Sequence, residues 1–182
     1  MEFGNTITLR YSGLSSGEIE ILFNMLHDPF DVKEEIEDIY DENYVSVVKL
    51  DLPLQYNKSF LKIFGMDRWE QVKEVLKNLK WRRGKKGVKL SLAFAGRPKV
   101  LFAIHTDNNK IFGKALDTVE YLMDIILFQV DSKRLPTGVR EVYYEFDEDE
   151  YRWLPIKAIG DKEYTFVREQ WVERNIEELD TR

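Results

Sequence analysis

The stretch that decides the fold is VKLSLAFAGRPKVLFAI, residues 88–104, near the middle of the chain. Its first half places apolar side chains at every second position, namely Val88, Leu90, Leu92 and Phe94. Such alternation is typical of a β-strand with one buried face. Residues 96–98, Gly-Arg-Pro, indicate a turn, and the apolar run Val100–Ile104 that follows is typical of a central strand. The pattern therefore predicts two strands in the core of a sheet.

Other segments predict strands on either side of this pair. Alternating or apolar patterns occur at Thr6–Tyr11, Tyr44–Leu52, Val142–Phe146 and Tyr164–Phe166. The acidic tip Asp147–Glu150 separates Val142–Phe146 from a return segment around Trp153, which indicates a hairpin. With helices between several strands, the sequence predicts an α+β fold in a single globular domain, residues 1–182. We expect a mixed or mainly antiparallel sheet of about five to seven strands packed with four or five helices.

Helix signals lie between these strands. Ser15 and Glu18 have the spacing of a capping box, in which a hydroxyl and a carboxylate satisfy free backbone donors at a helix start. Apolar residues at helical spacing predict helices from there to about His27, over 31–40, from Asp67 to about 82, over 109–128, and at the end of the chain. The last of these uses Trp171, Val172, Ile176 and Leu179 as its apolar stripe.

The composition excludes several kinds of protein. The chain has no cysteine, which excludes disulfides, thiolate metal sites and cysteine nucleophiles. No window approaches the roughly 20 consecutive apolar residues that a membrane-spanning helix needs, and the first residues lack the pattern of a signal peptide. We therefore expect a cytoplasmic protein without membrane contact. One third of the residues are charged, and this balance resembles that of thermophile proteins.

The charge is distributed very unevenly. The formal net charge is -6, yet the segment from Lys73 to Lys99 contains a single acid, Glu74. Its ten basic residues are Lys73, Lys77, Lys80, Arg82, Arg83, Lys85, Lys86, Lys89, Arg97 and Lys99. A local positive field of this kind attracts polyanions or an acidic protein surface.

The centre of this basic segment has the residue types of a nucleic-acid contact. Glycines at 84 and 87 let the backbone approach a phosphate, arginines can bind one through two hydrogen bonds, and Trp81 can stack on a base. The candidate polyanion-binding residues are Lys77, Lys80, Trp81, Arg82, Arg83, Lys85, Lys86 and Lys89.

Two other interpretations of the same cations remain open. Lys73 and Lys77 each follow a glutamate by three positions, so they can form ion pairs on a solvated helix face. Acids can also come from elsewhere, because residues 28–42 contain eight acids and one base, and residues 147–150 are all acidic. Pairing of that kind, within a chain or between two copies, makes the basic segment a structural contact or a docking face.

A second candidate ligand site consists of His105, Asp107 and Asn108. These residues lie where an apolar strand ends and a long helix begins, a position at which side chains and helix amides often meet ligands. His105 is suited to act as a general base or metal ligand, with Asp107 orienting it. The alternative is that Asp107 and Asn108 only cap the helix. No zinc, calcium, P-loop or serine-hydrolase motif is present, so we predict no metal and no cofactor.

Three classes of function follow, in this order. The first is a non-enzymatic module that binds nucleic acid through the basic segment. The second is an adaptor or homo-oligomer subunit that docks through complementary acidic and basic faces. The third is a small enzyme with its site at residues 105–109, although no catalytic motif supports it.

Overall fold

The computed structural model describes residues 4–38, 41–131 and 133–174 of the chain. Within these ranges nine strands form one sheet, in the order β2-β1-β3-β4-β5-β6-β7-β8-β9. The strands are β1 Thr6–Ser12, β2 Asp31–Ile36, β3 Tyr44–Gln55, β4 Gly87–Ala95, β5 Lys99–Thr106, β6 Glu141–Asp147, β7 Arg152–Ile159, β8 Glu163–Val167 and β9 Gln170–Glu173.

Five α-helices and one 3₁₀ helix connect these strands in the described ranges. They are α1 Ser16–Leu26, α2 Lys58–Phe64, α3 Met66–Arg82, α4 Asn109–Thr118, the 3₁₀ helix Val119–Asp124 and α5 Ile126–Val130. The α+β class and the mixed sheet are confirmed, but the prediction of five to seven strands was wrong, because the sheet has nine. None of the described helices combines the length and the apolar character needed to cross a bilayer.

The sheet is assembled from three successive β-α-β units. Each unit pairs its own two strands in parallel, as β1 with β2, β3 with β4, and β5 with β6. Neighbouring units meet through the antiparallel pairs β1–β3 and β4–β5. The C-terminal strands β7, β8 and β9 then extend the sheet as an antiparallel meander.

One face of the sheet carries the core. Leu9, Leu50, Leu92, Phe102 and Tyr144 are cross-strand neighbours in register, and all are buried. Helices α1, α3 and α4 cover this face, with α3 in contact with both of the others. Because strand side chains alternate, the opposite face carries a second set of residues in register, mostly polar or small, namely Arg10, Lys49, Ser91, Ala103 and Glu145. The candidate sites lie at one end of these layers, where α3 ends, α4 begins, and β4 and β5 meet the helices.

Residues 31–36 form strand β2, so the helix predicted over 31–40 was wrong. Val32 and Ile36 fit the period of a strand as well as that of a helix. Pairing along β1, from Thr6 opposite Asp31 to Tyr11 opposite Ile36, satisfies backbone groups that an isolated helix turn leaves open. Tertiary pairing thus outweighs the local helix preference of the glutamates. Residues 39–40 lie outside the described ranges.

The helix predicted over 109–128 breaks at Thr118. The Thr118 hydroxyl donates to the Lys114 carbonyl at 2.8 Å, a bond that bends helices. A 3₁₀ helix follows, and within it Glu120 accepts hydrogen bonds from α3. These contacts hold the segment against α3 instead of in line with α4.

The predicted C-terminal helix was wrong where the structure describes it. Trp171 and Val172 lie in strand β9, which pairs antiparallel with β8. The other two residues of the predicted stripe, Ile176 and Leu179, lie outside the described residues.

Candidate functional site

The basic segment, Lys73 to Lys99, spans the second half of α3, the following turn, all of β4 and the first residue of β5. α3 ends at Arg82, and β4 begins at Gly87. Gly84 has φ of 58°, a left-handed conformation that glycine adopts without steric cost. Gly87 has no space for a side chain, since a Cβ atom would lie 2.6 Å from the Tyr44 ring. The turn is therefore short and places its cations at one end of the helical layer.

Arg83 is bound entirely within the chain. Its guanidinium donates to both carboxylate oxygens of Glu18, at 2.8 and 2.7 Å. It also donates to Ser46 Oγ at 2.8 Å and to the Gly13 carbonyl at 3.0 Å. Glu18 is nearly buried, and the hydrogen bonds from Arg83 lower its pKa to about 2. Arg83 thus ties the end of α3 to the start of α1 and to β3.

Lys80 is buried, with only 1% of the residue exposed. Its ammonium donates to the Gly84 carbonyl at 2.9 Å and to Asn109 Oδ1 at 2.6 Å. Burial lowers the pKa of Lys80, because removal from water disfavours the charged form. Lys80 therefore joins the end of α3 to the first residue of α4.

Lys73 and Lys77 form ion pairs along the α3–α4 contact. Lys73 Nζ lies 2.5 Å from Glu120 Oε1 in the 3₁₀ helix. Lys77 Nζ lies 2.5 Å from Asp117 Oδ1 on α4 and 2.7 Å from Glu74 Oε1 on α3. The neutralising carboxylates thus come from the helical layer itself.

Lys89 is paired by the acidic stretch 28–42. Its ammonium lies 2.7 Å from Asp41 Oδ2 and 4.6 Å from the centre of the Tyr44 ring. The pKa of Asp41 is lowered, chiefly by this hydrogen bond from Lys89. One of the two proposed sources of neutralising acids therefore contributes, at this position.

The remaining candidates are exposed. Trp81 is 70% exposed, and the Arg82 side chain is 57% exposed with its nearest carboxylate, Glu18, at 3.8 Å. Lys85 and Lys86 are exposed and have no ion pair among the described residues. Arg82, Lys85 and Lys86 thus keep cations at the surface in the same segment as the exposed Trp81.

Two further cations lie on the neighbouring helix and were not among the predicted residues. Lys110 and Lys114, four positions apart on α4, are exposed and form no ion pair within the described ranges. The bond between Lys80 and Asn109 holds the start of α4 beside the end of α3. The i, i+4 spacing of these lysines was the available sequence signal. We name Trp81, Arg82, Lys85, Lys86, Lys110 and Lys114 together the Trp81 surface.

An open cleft of about 450 Å³ adjoins this surface and brings the two predicted sites together. Its lining residues are Glu42, Asn43, Tyr44, Lys85, Lys86, His105, Thr106, Asp107 and Glu148. Asn108 is not among them, because its side chain accepts hydrogen bonds from the backbone amides of Lys110 and Ile111 and caps α4. Of the three predicted ligand residues, two therefore face the cleft and one is a helix cap.

His105 and Asp107 share this cleft without a hydrogen bond between their side chains. The His105 ring meets the Tyr44 ring edge-on, with ring centres 6.3 Å apart. The pKa of His105 is lowered by partial loss of hydration and, to a smaller extent, by Lys89, with Glu145 opposing the shift. The hydrogen bond to Asp107 that would orient His105 as a base is not formed. The described residues contain no group of three or more potential metal ligands.

The chain matches no known protein family, and neither a curated protein nor a solved structure is significantly similar to it. The case for a function therefore depends on the contacts, exposure and charges of this chain. The most distinctive of these is the set of exposed cations in the Trp81 surface, of which only Arg82 has an ion pair, at 3.8 Å, among the described residues.

Proposed function

We propose that the protein is a non-enzymatic cytoplasmic module that binds single-stranded nucleic acid through the Trp81 surface. The observation that carries the proposal is an exposed tryptophan, Trp81, in a segment that also presents exposed cations. Lys85, Lys86, Lys110 and Lys114 have no ion pair among the described residues, and Arg82 has only a long contact of 3.8 Å with Glu18. Most other candidates of the basic segment are already bound within the chain.

A cation without an ion pair binds a phosphate more readily than a cation that is already paired with a carboxylate. A cation that binds a phosphate releases the counterions that the nucleic acid had condensed, and this release drives binding. Lys77 or Arg83 would first have to leave its own carboxylate. Lys85 and Lys86 have no such competitor among the described residues.

The exposed indole favours a single strand over a duplex. Stacking of a base on an aromatic side chain contributes about 1–3 kcal/mol and requires that the base face be accessible. Trp81 is exposed and lies next to Arg82, whose guanidinium can bind a phosphate through two hydrogen bonds.

The overall negative charge does not prevent this contact. At physiological salt the Debye length is about 8 Å, so acids on distant parts of the surface are largely screened from a bound phosphate. The nearer acids Glu42, Asp107 and Glu148 lie in the adjoining cleft. They would direct the strand along the helical side of the surface instead of into the cleft.

The experiment is fluorescence polarisation with a labelled single-stranded oligonucleotide of twenty nucleotides at low salt. The variant Lys85→Gln with Lys86→Gln should weaken binding about tenfold or more, since charge-assisted contacts contribute about 1.5–3 kcal/mol each. The matched control is Lys62→Gln with Arg97→Gln, which makes the same change in net charge at exposed cations elsewhere. Arg97 follows the far end of β4, roughly 30 Å from Lys86 at a strand rise of about 3.3 Å per residue. Equal losses in both variants, or no binding by the native protein, would contradict the proposal.

The alternative of an adaptor or homo-oligomer subunit has one observation in its favour. The edge strand β2 contains three acids and one lysine, and the Trp81 surface is basic, so the two are opposite in charge. Sedimentation at low and high salt separates the two functions. An oligomer that dissociates as the salt concentration rises would favour the alternative, whereas the nucleic-acid module should sediment as a monomer in both.

A further inference from the structure

An open concavity lies between α5 and the C-terminal strands β7–β9. It encloses about 850 Å³. Three aromatic rings and three arginines dominate its lining, namely Phe128, Phe166, Trp171, Arg134, Arg152 and Arg168. We name it the arginine groove. It lies apart from the Trp81 surface and shares no residue with it.

The apolar side of the groove is a fixed set of rings. Phe166 and Trp171 pack with ring centres 4.9 Å apart, and the Trp171 indole N–H donates to the Gln129 carbonyl at 3.4 Å. Phe128 on α5 is 64% exposed at the side of the groove. An apolar body that entered here would cover rings that water now contacts.

The polar side of the groove is positive. Arg134 and Arg168 are exposed and have no ion pair among the described residues, while Arg152 pairs with Glu150. Glu169 is the single carboxylate among the lining residues. Two guanidinium groups are therefore available to bind an anion, although the net charge of the chain is -6.

The turn that carries Arg168 departs from the residues such a turn prefers. Arg168 and Glu169 connect β8 to β9 with φ of 48° and 63°, both in the left-handed region. A two-residue hairpin turn with two positive φ angles strongly favours Asn-Gly. Less favoured residues at such positions point to a requirement other than stability. Arg168 lines the groove, and binding of a ligand there is a requirement that explains an arginine at this position.

We propose that the arginine groove binds a nucleoside phosphate. The base would lie against Phe128, Phe166 and Trp171, and the phosphate would bind Arg134 and Arg168. A nucleoside phosphate combines a flat ring with an anionic group, the two features that this lining recognises. Gln170 borders the groove and offers an amide group to the edge of a base, whereas the Gln129 amide oxygen already accepts a hydrogen bond from Tyr144 at 2.9 Å.

Isothermal titration calorimetry with adenosine triphosphate tests the proposal, with adenosine and inorganic phosphate as separate halves of the ligand. We expect the whole ligand to bind at least tenfold more tightly than either half. Arg134→Gln and Arg168→Gln should each weaken binding about tenfold or more. The control Lys133→Gln removes a neighbouring cation outside the groove lining and should leave the affinity unchanged.

A second variant separates binding from the structure of the turn. Arg168→Asn with Glu169→Gly installs the favoured turn residues, so the melting temperature should rise while the affinity falls at least tenfold. An unchanged affinity in this variant would show that Arg168 has no part in binding and would overturn the proposal. Absence of measurable binding at millimolar nucleotide, or phosphate binding as tightly as the nucleotide, would overturn it as well. Loss of oligonucleotide binding at the Trp81 surface would leave these results unaffected.

Discussion

Arg83 donates four hydrogen bonds to groups of its own chain, whereas Lys85, two residues later, is exposed and has no ion pair among the described residues. The difference arises because the end of α3 directs Arg83 toward α1, where Glu18 is fixed by its capping box with Ser15. The two cations therefore have different roles. Arg83 holds the fold together, and Lys85 is available to a ligand.

The first prediction concerns acid stability. The pKa of Glu18 falls from its ordinary 4.5 to about 2 in the folded protein, chiefly through Arg83. Because the folded pKa is depressed, the stabilisation is complete above about pH 4.5 and is lost as the pH falls toward 2. The shift corresponds to about 3 kcal/mol.

Urea unfolding between pH 7 and pH 2.5 checks this prediction. Glu18→Gln should lower the free energy of unfolding at pH 7 by about 3 kcal/mol or more, because it leaves Arg83 without its ion pair. It should also flatten the decline between pH 4.5 and 2. Glu20→Gln, an exposed acid on the same helix, is the control and should change neither quantity. A decline as steep in Glu18→Gln as in the native protein would refute the assignment.

The second prediction separates a structural lysine from a binding lysine. Lys80→Ala should lower the free energy of unfolding by about 2–4 kcal/mol, since it removes a buried side chain and unpairs Gly84 and Asn109. Lys85→Ala should leave the free energy of unfolding within about 0.5 kcal/mol of the native value, as exposed substitutions do. Its oligonucleotide affinity should nevertheless fall. Chemical denaturation and polarisation on the same two variants provide the comparison, and a reversal of the two effects would contradict it.

At the scale of elements, the contact between α3 and the 3₁₀ helix depends on a nearly buried ion pair. The Lys73 side chain is 3% exposed and that of Glu120 is 14% exposed. Burial by itself would lower the pKa of Lys73, but hydrogen bonds with Glu120 and Glu70 outweigh it and raise the pKa. The Trp69 indole N–H also donates to Glu120 at 2.9 Å. The pair therefore fixes the segment that departs from the line of α4.

The third prediction is a double-mutant cycle on this pair. Lys73→Met should lower the free energy of unfolding by about 3–5 kcal/mol, because it leaves the Glu120 carboxylate without its main partner in a nearly buried site. Adding Glu120→Leu should restore part of the loss, since neither charge then remains unpaired. Guanidinium unfolding of the four proteins gives the coupling energy. Additive losses would show that the two residues act independently.

Elements with a strong local signal could be predicted from the sequence. The capping box of Ser15 and Glu18, the alternation of β4 and the apolar run of β5 all have a single structural solution. β2 could not be predicted, because Val32 and Ile36 satisfy both periods and only the pairing with β1 decides between them. The break at Thr118 likewise depends on contacts with α3 that are distant in sequence.

At the scale of the whole molecule, β2 and β9 are the edge strands of the sheet within the described residues, and charge protects the β2 edge. β2 forms one edge with the sequence DVKEEI, and Glu35 pairs there with Arg10 and Lys33. Charged edge strands discourage pairing with another chain. The acidic stretch 28–42 thus has a structural role at the edge, in addition to supplying Asp41 to Lys89.

The candidate site was only partly predictable from the sequence, because contacts between distant residues decide which cations are free. The sequence marks cations by type, and so it identified Arg82, Lys85 and Lys86 together with cations that the fold binds internally. It gave no indication that Glu18, 65 positions before Arg83, would neutralise that residue. It also separated Lys110 and Lys114 from the basic segment, although the helix that carries them, α4, packs on α3 and begins beside its end.

The measurement that tests the central claim most directly is the salt dependence of oligonucleotide binding. Five phosphate contacts on a single strand predict a slope of log K against log salt of about -3.5, and three contacts predict about -2.1. The native protein should therefore show the first slope and Lys85→Gln with Lys86→Gln the second, while Lys62→Gln with Arg97→Gln should keep the native slope. A slope near zero, or one that the Lys85 and Lys86 substitutions leave unchanged, would contradict the account.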